Sequence, residues 1–498
     1  MLLVVLAAAA TVLVLVPLVY LVMRATERGW AGVHATLWRT RTLELTLRSL
    51  ELAAIVTVLC LVIGTGMAWL VTRTDLPGRR VVRVLVGMPL ALPSYVAAWS
   101  WIGWRSDLAG RSGAVLVLTT ISYPYVYLSV LGALRRSDPA LEEVARSLGC
   151  GPWSVFWRVT LPQVRLAATG GGLLVALYSL SDFGAVATMR YEVLTHVIYR
   201  SYNSSFDRTP PAVLGCVLAV LALVLVAVET RTRRAVARVG SGTLRAQPVV
   251  SLGWARWPAL VLPAGLLAVC LGIPAWGMRK WFLRAPAWPD GEVYGDAIVH
   301  TLQAGAAGAL AVVALAFPVA LLALRHPGWL SRTAVGAAYA GHALPGIVVG
   351  LSLVFFGIRY ATPIYQKLPM LVLAYVVLFL SLGLASMIGA LAQVPPVLED
   401  VARSLGRGPL GAWRSVTLRI AAPGVGAAAT LVFLTIMKEL PATLFLRPSG
   451  FNTLATKLWS HVSGLSYAAA APYAVTIVVL AAVPTALLMA AGERRDHR

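Results

Sequence analysis

Twelve apolar runs, each close to the ~20 residues that a helix needs to cross a bilayer, constrain this 498-residue chain more than any other feature. They fall at 2 to 23, 50 to 72, 82 to 104, 113 to 134, 166 to 188 and 210 to 229. A second set lies near 258 to 278, 297 to 324, 333 to 357, 368 to 392, 421 to 443 and 470 to 491. Hydrophobic residues make up 59% of the chain and charged ones 12%, more apolar chain than a soluble core needs. The expectation is an all-α polytopic membrane protein with both termini on one side. No basic segment precedes the first run and no convincing cleavage site follows it, so it reads as a retained helix rather than a signal peptide.

The runs are also written twice, with a period of roughly 255 residues. Thr46-Leu47 answers Thr301-Leu302, Leu92-Pro93 answers Leu344-Pro345, and the stretch from Asp182 to Arg190 answers that from Glu439 to Arg447. Each half holds an even number of spans, which makes the halves parallel repeats about an axis along the membrane normal. The boundaries read as 1–230 for the first half, 231–256 for a polar cytoplasmic linker and 257–498 for the second half.

One polar island recurs in both halves. It runs Leu141-Glu-Glu-Val-Ala-Arg-Ser-Leu-Gly149 and on to Leu161-Pro162, then again Leu398-Glu-Asp-Val-Ala-Arg-Ser-Leu-Gly406 and on to Thr417-Leu418. Asp138 suits an N-cap, Pro139 a first turn, and Gly149 and Gly406 the left-handed residue that ends a helix. Leu141, Val144, Ala145 and Leu148 recur at i, i+3, i+4 and i+7, as do Leu398, Val401, Ala402 and Leu405, giving each short helix an apolar face. Glu142 with Arg146, and Glu399 with Arg403, form i,i+4 pairs on the other face. An ordinary amphipathic surface helix has no reason to repeat its whole spacing, so the two islands read as docking elements between spans, at about 136–165 and 394–420.

The pattern Glu143-x-Ala145, Gly149, then Leu161-Pro162 resembles the coupling loop of the ABC-importer permeases, the family with an EAA-type loop. The resemblance implies the type I importer fold in a fused two-half form. It also implies that the loops seat in a groove of an ABC ATPase subunit, two copies of it, through Leu141, Glu143, Ala145, Leu148, Gly149, Leu161 and Pro162, and through Leu398, Asp400, Ala402, Leu405 and Gly406. The second copy departs from the pattern: Asp400 replaces the glutamate and Arg419 stands where proline is expected, so the first copy is expected to be the standard one. The runs Ala91 to Trp99, Asp182 to Val186 with Arg190-Tyr191, and Lys438 to Thr443 with Leu454-Ala-Thr456 resemble the ferric-iron subgroup, with thiamine and other fused permeases as near relatives. In that subgroup a periplasmic or lipoprotein solute-binding protein holds the metal, and the permease sits in the bacterial inner membrane.

The residues agree that energy comes from elsewhere. A phosphate-binding loop needs lysine after a glycine turn, and none of Lys280, Lys367, Lys438 and Lys457 follows glycine. ATP and magnesium are therefore expected only on a partner subunit, with no cofactor or metal on this chain and no catalytic residue of its own. The cysteines, Cys60, Cys150, Cys216 and Cys270, are dispersed, and no two of the seven histidines pair. A net charge of +22 could indicate nucleic acid, but the cations flank spans without interleaved aromatics and suit anionic lipid better. They also lie in excess on the side of the docking loops, densest at Arg231, Arg233, Arg234, Arg238 and Arg245. Tyr123, Tyr125, Tyr127, Tyr191, Tyr199 and Tyr202 suit an interfacial belt better than oxygen ligands.

Charges inside spans mark pathways or partners. Asp182, Lys438 and Glu439 fall within the fifth and eleventh runs, with Arg190 and Arg447 just beyond. Lys438 paired with Asp182 would form an external gate, or else a static packing pair. Pro162, Pro345 and Pro441 mark places where spans bend or break, as hinges or as packing features. The expected function is a permease working by alternating access, with the binding protein on loops 189–209 and 444–469. A gradient-driven carrier is disfavoured by the scarcity of buried carboxylates and by the paired loops, and an intramembrane enzyme by the lack of any Ser, His and Asp group.

Overall fold

The computed structural model describes residues 2–138, 140–204, 207–238, 249–285 and 288–495. These residues are helical apart from turns and a single bridge pairing Thr74 with Val250. The first half supplies α1 (Leu2–Thr26), α2 (Thr40–Arg73), α3 (Arg79–Gly87), α4 (Ser94–Trp104), α5 (Arg111–Arg136), α6 (Ala140–Ser147), α7 (Leu161–Ser181), α8 (Gly184–Thr188) and α9 (Thr209–Arg238). The second supplies α10 (Ile273–Leu283), α11 (Gly291–Arg325), α12 (Trp329–Ala343), α13 (Gly346–Tyr360), α14 (Leu368–Leu391), α15 (Pro396–Ser404), α16 (Leu418–Met437), α17 (Pro441–Leu446) and α18 (Ala471–Arg495). From α2 and α11 onward the two series run in the same order.

Among the described residues nine helices are long and apolar enough to cross a membrane, or eleven if each of two bent pairs is one span; Ala471–Ala482 is a shorter apolar helix. The bent pairs correct the sequence reading. The runs at 82 to 104 and 333 to 357 are not straight spans: the chain turns by 97° between Arg79–Ala91 and Ser94–Trp104, and by 104° between Trp329–Ala343 and Gly346–Tyr360. The cause is the repeated Leu-Pro. Proline crowds the backbone of the residue before it out of the helical region, and Leu92 and Leu344 accordingly sit at ψ 125 in both breaks. Each proline then caps the next limb, Pro93 O accepting from Ala97 N and Pro345 O from Val349 N.

The chain packs as two compact units whose boundaries cut across the sequence halves. One unit comprises residues 1–39, 198–223 and 290–457, the other 40–197, 224–289 and 458–498. Each unit therefore takes the leading helix of the opposite half. In the first unit α1 packs on α11, α12 and α13. Lipid is as apolar as leucine, so helices associate through close packing of small residues. Ala7, Ala10 and Val14 of α1 accordingly meet Ala316, Ala320 and Ala338 in one buried cluster. Gly341 admits Val14: a Cβ there would lie 2.5 Å from the valine Cγ1.

In the second unit α2, α5 and α7 form the central pack, and α10 lies on α4. The α10 contact is equally close, since a Cβ on Gly277 would lie 2.0 Å from Ser100 O. Lys280 Nζ donates to Gly103 O at 2.6 Å across the same seam. Residues 239–248 of the linker lie outside the described residues, so of the Arg cluster read there Arg245 is not placed. The linker's end is pinned to α2: Val250 N donates to Arg73 O at 2.8 Å and Leu252 N to Asp75 Oδ1 at 2.8 Å.

Candidate functional site

Both polar islands fold as the spacing predicts, into short helices ended by the same glycine turn. Ala140 N donates to Asp138 Oδ1 at 3.0 Å at the start of α6, while Pro139 lies outside the described residues. At the other end Gly149 N donates to Arg146 O and Cys150 N to Ala145 O. In α15 Gly406 N donates to Arg403 O and Arg407 N to Ala402 O. This is the paired bond of a Schellman ending, which needs a left-handed residue; Gly149 has φ +83 and Gly406 φ +85.

The helices are amphipathic in the reverse of the usual sense. Leu141, Val144 and Leu148 are 56%, 55% and 77% exposed, and Leu398, Val401 and Leu405 are likewise exposed. Glu142 and Glu399 turn inward instead, so the i,i+4 pairs with Arg146 and Arg403 form on the face opposite the leucines, as the spacing predicts, and that face is the inward one. Glu142 is 1% exposed and Arg73, the last residue of α2, is fully buried. Arg73 Nη2 lies 3.0 Å from Glu142 Oε1 and donates to Ser137 Oγ at 2.7 Å. Thr160 Oγ1 donates to Glu142 Oε1 at 3.1 Å, and Arg146 Nη2 reaches Oε2 at 3.5 Å. A buried carboxylate is tolerable only when paired and hydrogen-bonded in this way.

The second copy repeats the tie. Glu399 Oε1 accepts from Arg325 Nη2 at 2.8 Å and from Thr417 Oγ1, and Arg325 is the last residue of α11. Each short helix is thus bolted by one glutamate to the end of a long span and to the chain that leads into the next. That chain is locally π-helical at Phe156–Thr160 and again at Trp413–Thr417. Pro162 follows the first and Arg419 the second, so the departure at Arg419 leaves the local backbone geometry unchanged. Glu143 and Asp400 are exposed beside the apolar face, Ala145 is half-buried and Ala402 buried; Leu161 is half-buried and Pro162 exposed.

The charges within spans occupy a second kind of position, where a helix stops and a short one restarts. Span α7 ends at Ser181, and Asp182 Oδ1 accepts from Ala185 N at 2.8 Å at the start of α8. Span α16 ends at Met437; Glu439 then accepts from Ala442 N at 2.8 Å and Thr443 N at 2.9 Å as α17 begins at Pro441. Thr443 also hydrogen-bonds the Tyr375 hydroxyl at 2.9 Å. Both carboxylates therefore cap broken helices, a role that the sequence reading did not assign. Lys438, half-buried, is the residue that closes α16. Arg190 is exposed with φ +53, and Arg447 donates to Asn452 Oδ1. Tyr123 and Tyr127 are buried, with hydroxyls donating to Val86 O at 2.7 Å and Arg83 O at 2.9 Å, so those two serve packing.

Comparison with known proteins bears on both positions. Residues 60–234, which include α6, match the family described as binding-protein-dependent transport system inner membrane component. The chain is 33% identical, over 95% of its own length and 94% of the relative's, to the Fe(3+)-transport system permease protein FbpB 2 of Haemophilus influenzae. Over shorter stretches it is 28% identical to the sulfate transport system permease protein CysW of Escherichia coli K12, covering 43% of this chain and 81% of the relative. It is 34% identical to the molybdenum transport system permease protein ModB of Mycobacterium tuberculosis, covering 36% and 74%.

Proposed function

Since the chain belongs to the family of binding-protein-dependent transport system inner membrane components, we propose that it is the fused permease of a ferric-iron importer. As a family member it is the permease component of an ABC importer, a multi-span inner-membrane subunit that works with an ATPase and a binding protein. The single observation that supports iron is the end-to-end likeness to the Haemophilus influenzae protein, whose printed name gives Fe(3+), over 95% of this chain. The sulfate and molybdenum relatives cover less than half of it.

In the proposed mechanism each of two ATPase subunits receives one reversed amphipathic helix, α6 or α15. Leu141 and Leu148, with Leu398 and Leu405, fill its groove, and Glu143 and Asp400 stand at the edge. Movement of a seated helix would pass through its glutamate to the end of α2 or α11, because Glu142 and Glu399 join these elements directly. The spans would then exchange inward and outward states. The breaks capped by Asp182 and Glu439, with Lys438, Arg190 and Arg447 nearby in sequence, are proposed to line or gate the path. Broken helices at membrane depth suit a cavity, where freed backbone groups find partners.

The test is ATPase activity of this chain co-reconstituted in liposomes with its ATPase, with and without iron-loaded binding protein. Stimulation by the iron-loaded form and not by the iron-free form is the expected result. Stimulation only by a binding protein loaded with an oxyanion would discard iron and keep the importer.

A further inference from the structure

We propose that the groove between α2 and α7, beside the first docking helix, holds one anionic phospholipid of the cytoplasmic leaflet. An acyl chain would lie along the groove and the phosphate against Arg165. The groove measures about 540 Å³ and is walled by Leu61, Met67 and Leu70 of α2, Leu161 and Ala168 of α7, and Leu262. Apart from Arg165, Thr65 and Thr169 its side chains are apolar or aromatic. Water gains little in such a space, whereas a hydrocarbon chain fits it without losing hydrogen bonds.

Three features give the occupant its chemistry. The mouth is aromatic: Trp69 stacks on Trp153 at 6.3 Å between ring centroids and meets Phe156 edge-on at 5.6 Å. Trp153 and Trp157 are 71% and 61% exposed, as suits indoles at headgroup depth. Arg165 stands one turn into α7, lines the same groove, and has no carboxylate in ion-pair contact among the described residues. Basic groups between spans on the cytoplasmic side are the usual partners of anionic lipid phosphates. Finally, Trp153 and Phe156 belong to the chain that leads from α6 to α7, seven and four residues before the threonine that holds Glu142. A bound lipid would therefore brace the docking helix in its seat. The leaflet assignment rests on the reading that α6 faces the cytoplasm.

The experiment uses the full chain purified in mild detergent and exposed to phosphatidylglycerol or phosphatidylcholine of equal acyl length, with retained lipid counted by native mass spectrometry after washing. One phosphatidylglycerol per chain is expected to survive, with phosphatidylcholine retained about fivefold less, the scale of one basic residue facing an anionic lipid. Arg165→Gln, at an exposed position, is expected to erase that preference. Gly66 lines the groove and a Cβ on it meets nothing within 4 Å, so Gly66→Leu should fill the groove and lose both lipids while the chain stays folded. Equal retention of the two lipids by the unmodified chain, or unchanged phosphatidylglycerol on Gly66→Leu, would overturn the site. If Gly66→Leu fails to fold, an unchanged lipid preference in Arg165→Gln does so by itself. Retention of lipid is read without any ATPase present. Failure of the chain to associate with an ATPase would therefore remove the docking reading and leave the lipid result standing.

Discussion

At the scale of single residues, Glu142 has the most to lose. It and Arg73 are almost wholly removed from water, so neither charge can be rescued by solvent once the other is gone. Removing one member of such a pair costs about 3–5 kcal/mol, whereas replacing both with apolar residues of similar volume is often close to neutral. Arg73→Met alone should therefore lower thermal stability in detergent sharply, and adding Glu142→Met should restore most of it; a double variant as unstable as the sum of the singles would refute the coupling. The second tie is wetter, with Arg325 at 24% and Glu399 at 13% exposure. Solvent screens it more, and Arg325→Met should cost clearly less, on the order of 1 kcal/mol. None of this was visible in the helix pattern, which relates a residue only to neighbours three or four places away. That pattern pairs Glu142 with Arg146, a contact the structure keeps at 3.5 Å, although its stronger partner lies 69 residues upstream. The repeat did contain the signal: Arg73 and Arg325 each end a long helix, and a threonine follows each glutamate by 18 residues.

At the scale of the element, the periodicity of the docking helices gave their apolar face correctly and its direction not at all. A stripe at i, i+3 and i+7 predicts that one face is apolar, and in a free-standing soluble protein that face would point inward. Here the inward side is already taken by the glutamate tie, so the leucines are left outside as a surface awaiting a partner. Substitutions of residues this exposed should shift stability by no more than about 0.5 kcal/mol. Leu141→Ser with Leu148→Ser should therefore leave the melting curve in place and abolish co-purification with the ATPase; unchanged co-purification would remove these side chains from the interface. The glycine ending behaves differently. Gly149→Ala forces a Cβ into the left-handed region at a cost of about 1 kcal/mol, and should fray α6 without touching the apolar face. Hydrogen exchange at Leu148, Gly149 and Cys150 would report it. The two span breaks are half legible in the sequence, since Pro345 marks one and Pro93 stands only as its repeat. A 97° turn cannot be read from composition, because the two limbs taken together are as apolar as a straight span.

At the scale of the whole molecule, the repeat predicted two like series of helices but not which helices share a core. In a soluble protein the buried stripe would narrow the choice, yet in lipid nearly every face is apolar and the pattern that directs packing is the placement of small residues. That pattern is weak in sequence and decisive in the structure. Ala7, Ala10 and Val14 seat α1 among the alanines of α11 and α12, and Gly277 seats α10 on α4, so each leading helix is lodged in the unit formed by the other half. The exchange makes an unusual expectation for truncation. Deleting residues 2–26 removes the start of the first half, but the side chains it uncovers, Ala316, Ala320 and Ala338 among them, belong to the second. Hydrogen exchange in detergent should show α11 and α12 losing protection while α2, α5 and α7 keep theirs. Loss confined to α2, α5 and α7 would mean that the halves fold along the sequence after all. Loss in α11 and α12 would mean that the second half does not complete its core until the leading helix of the first is in place, which gives a physical reason for the two to be carried on one chain.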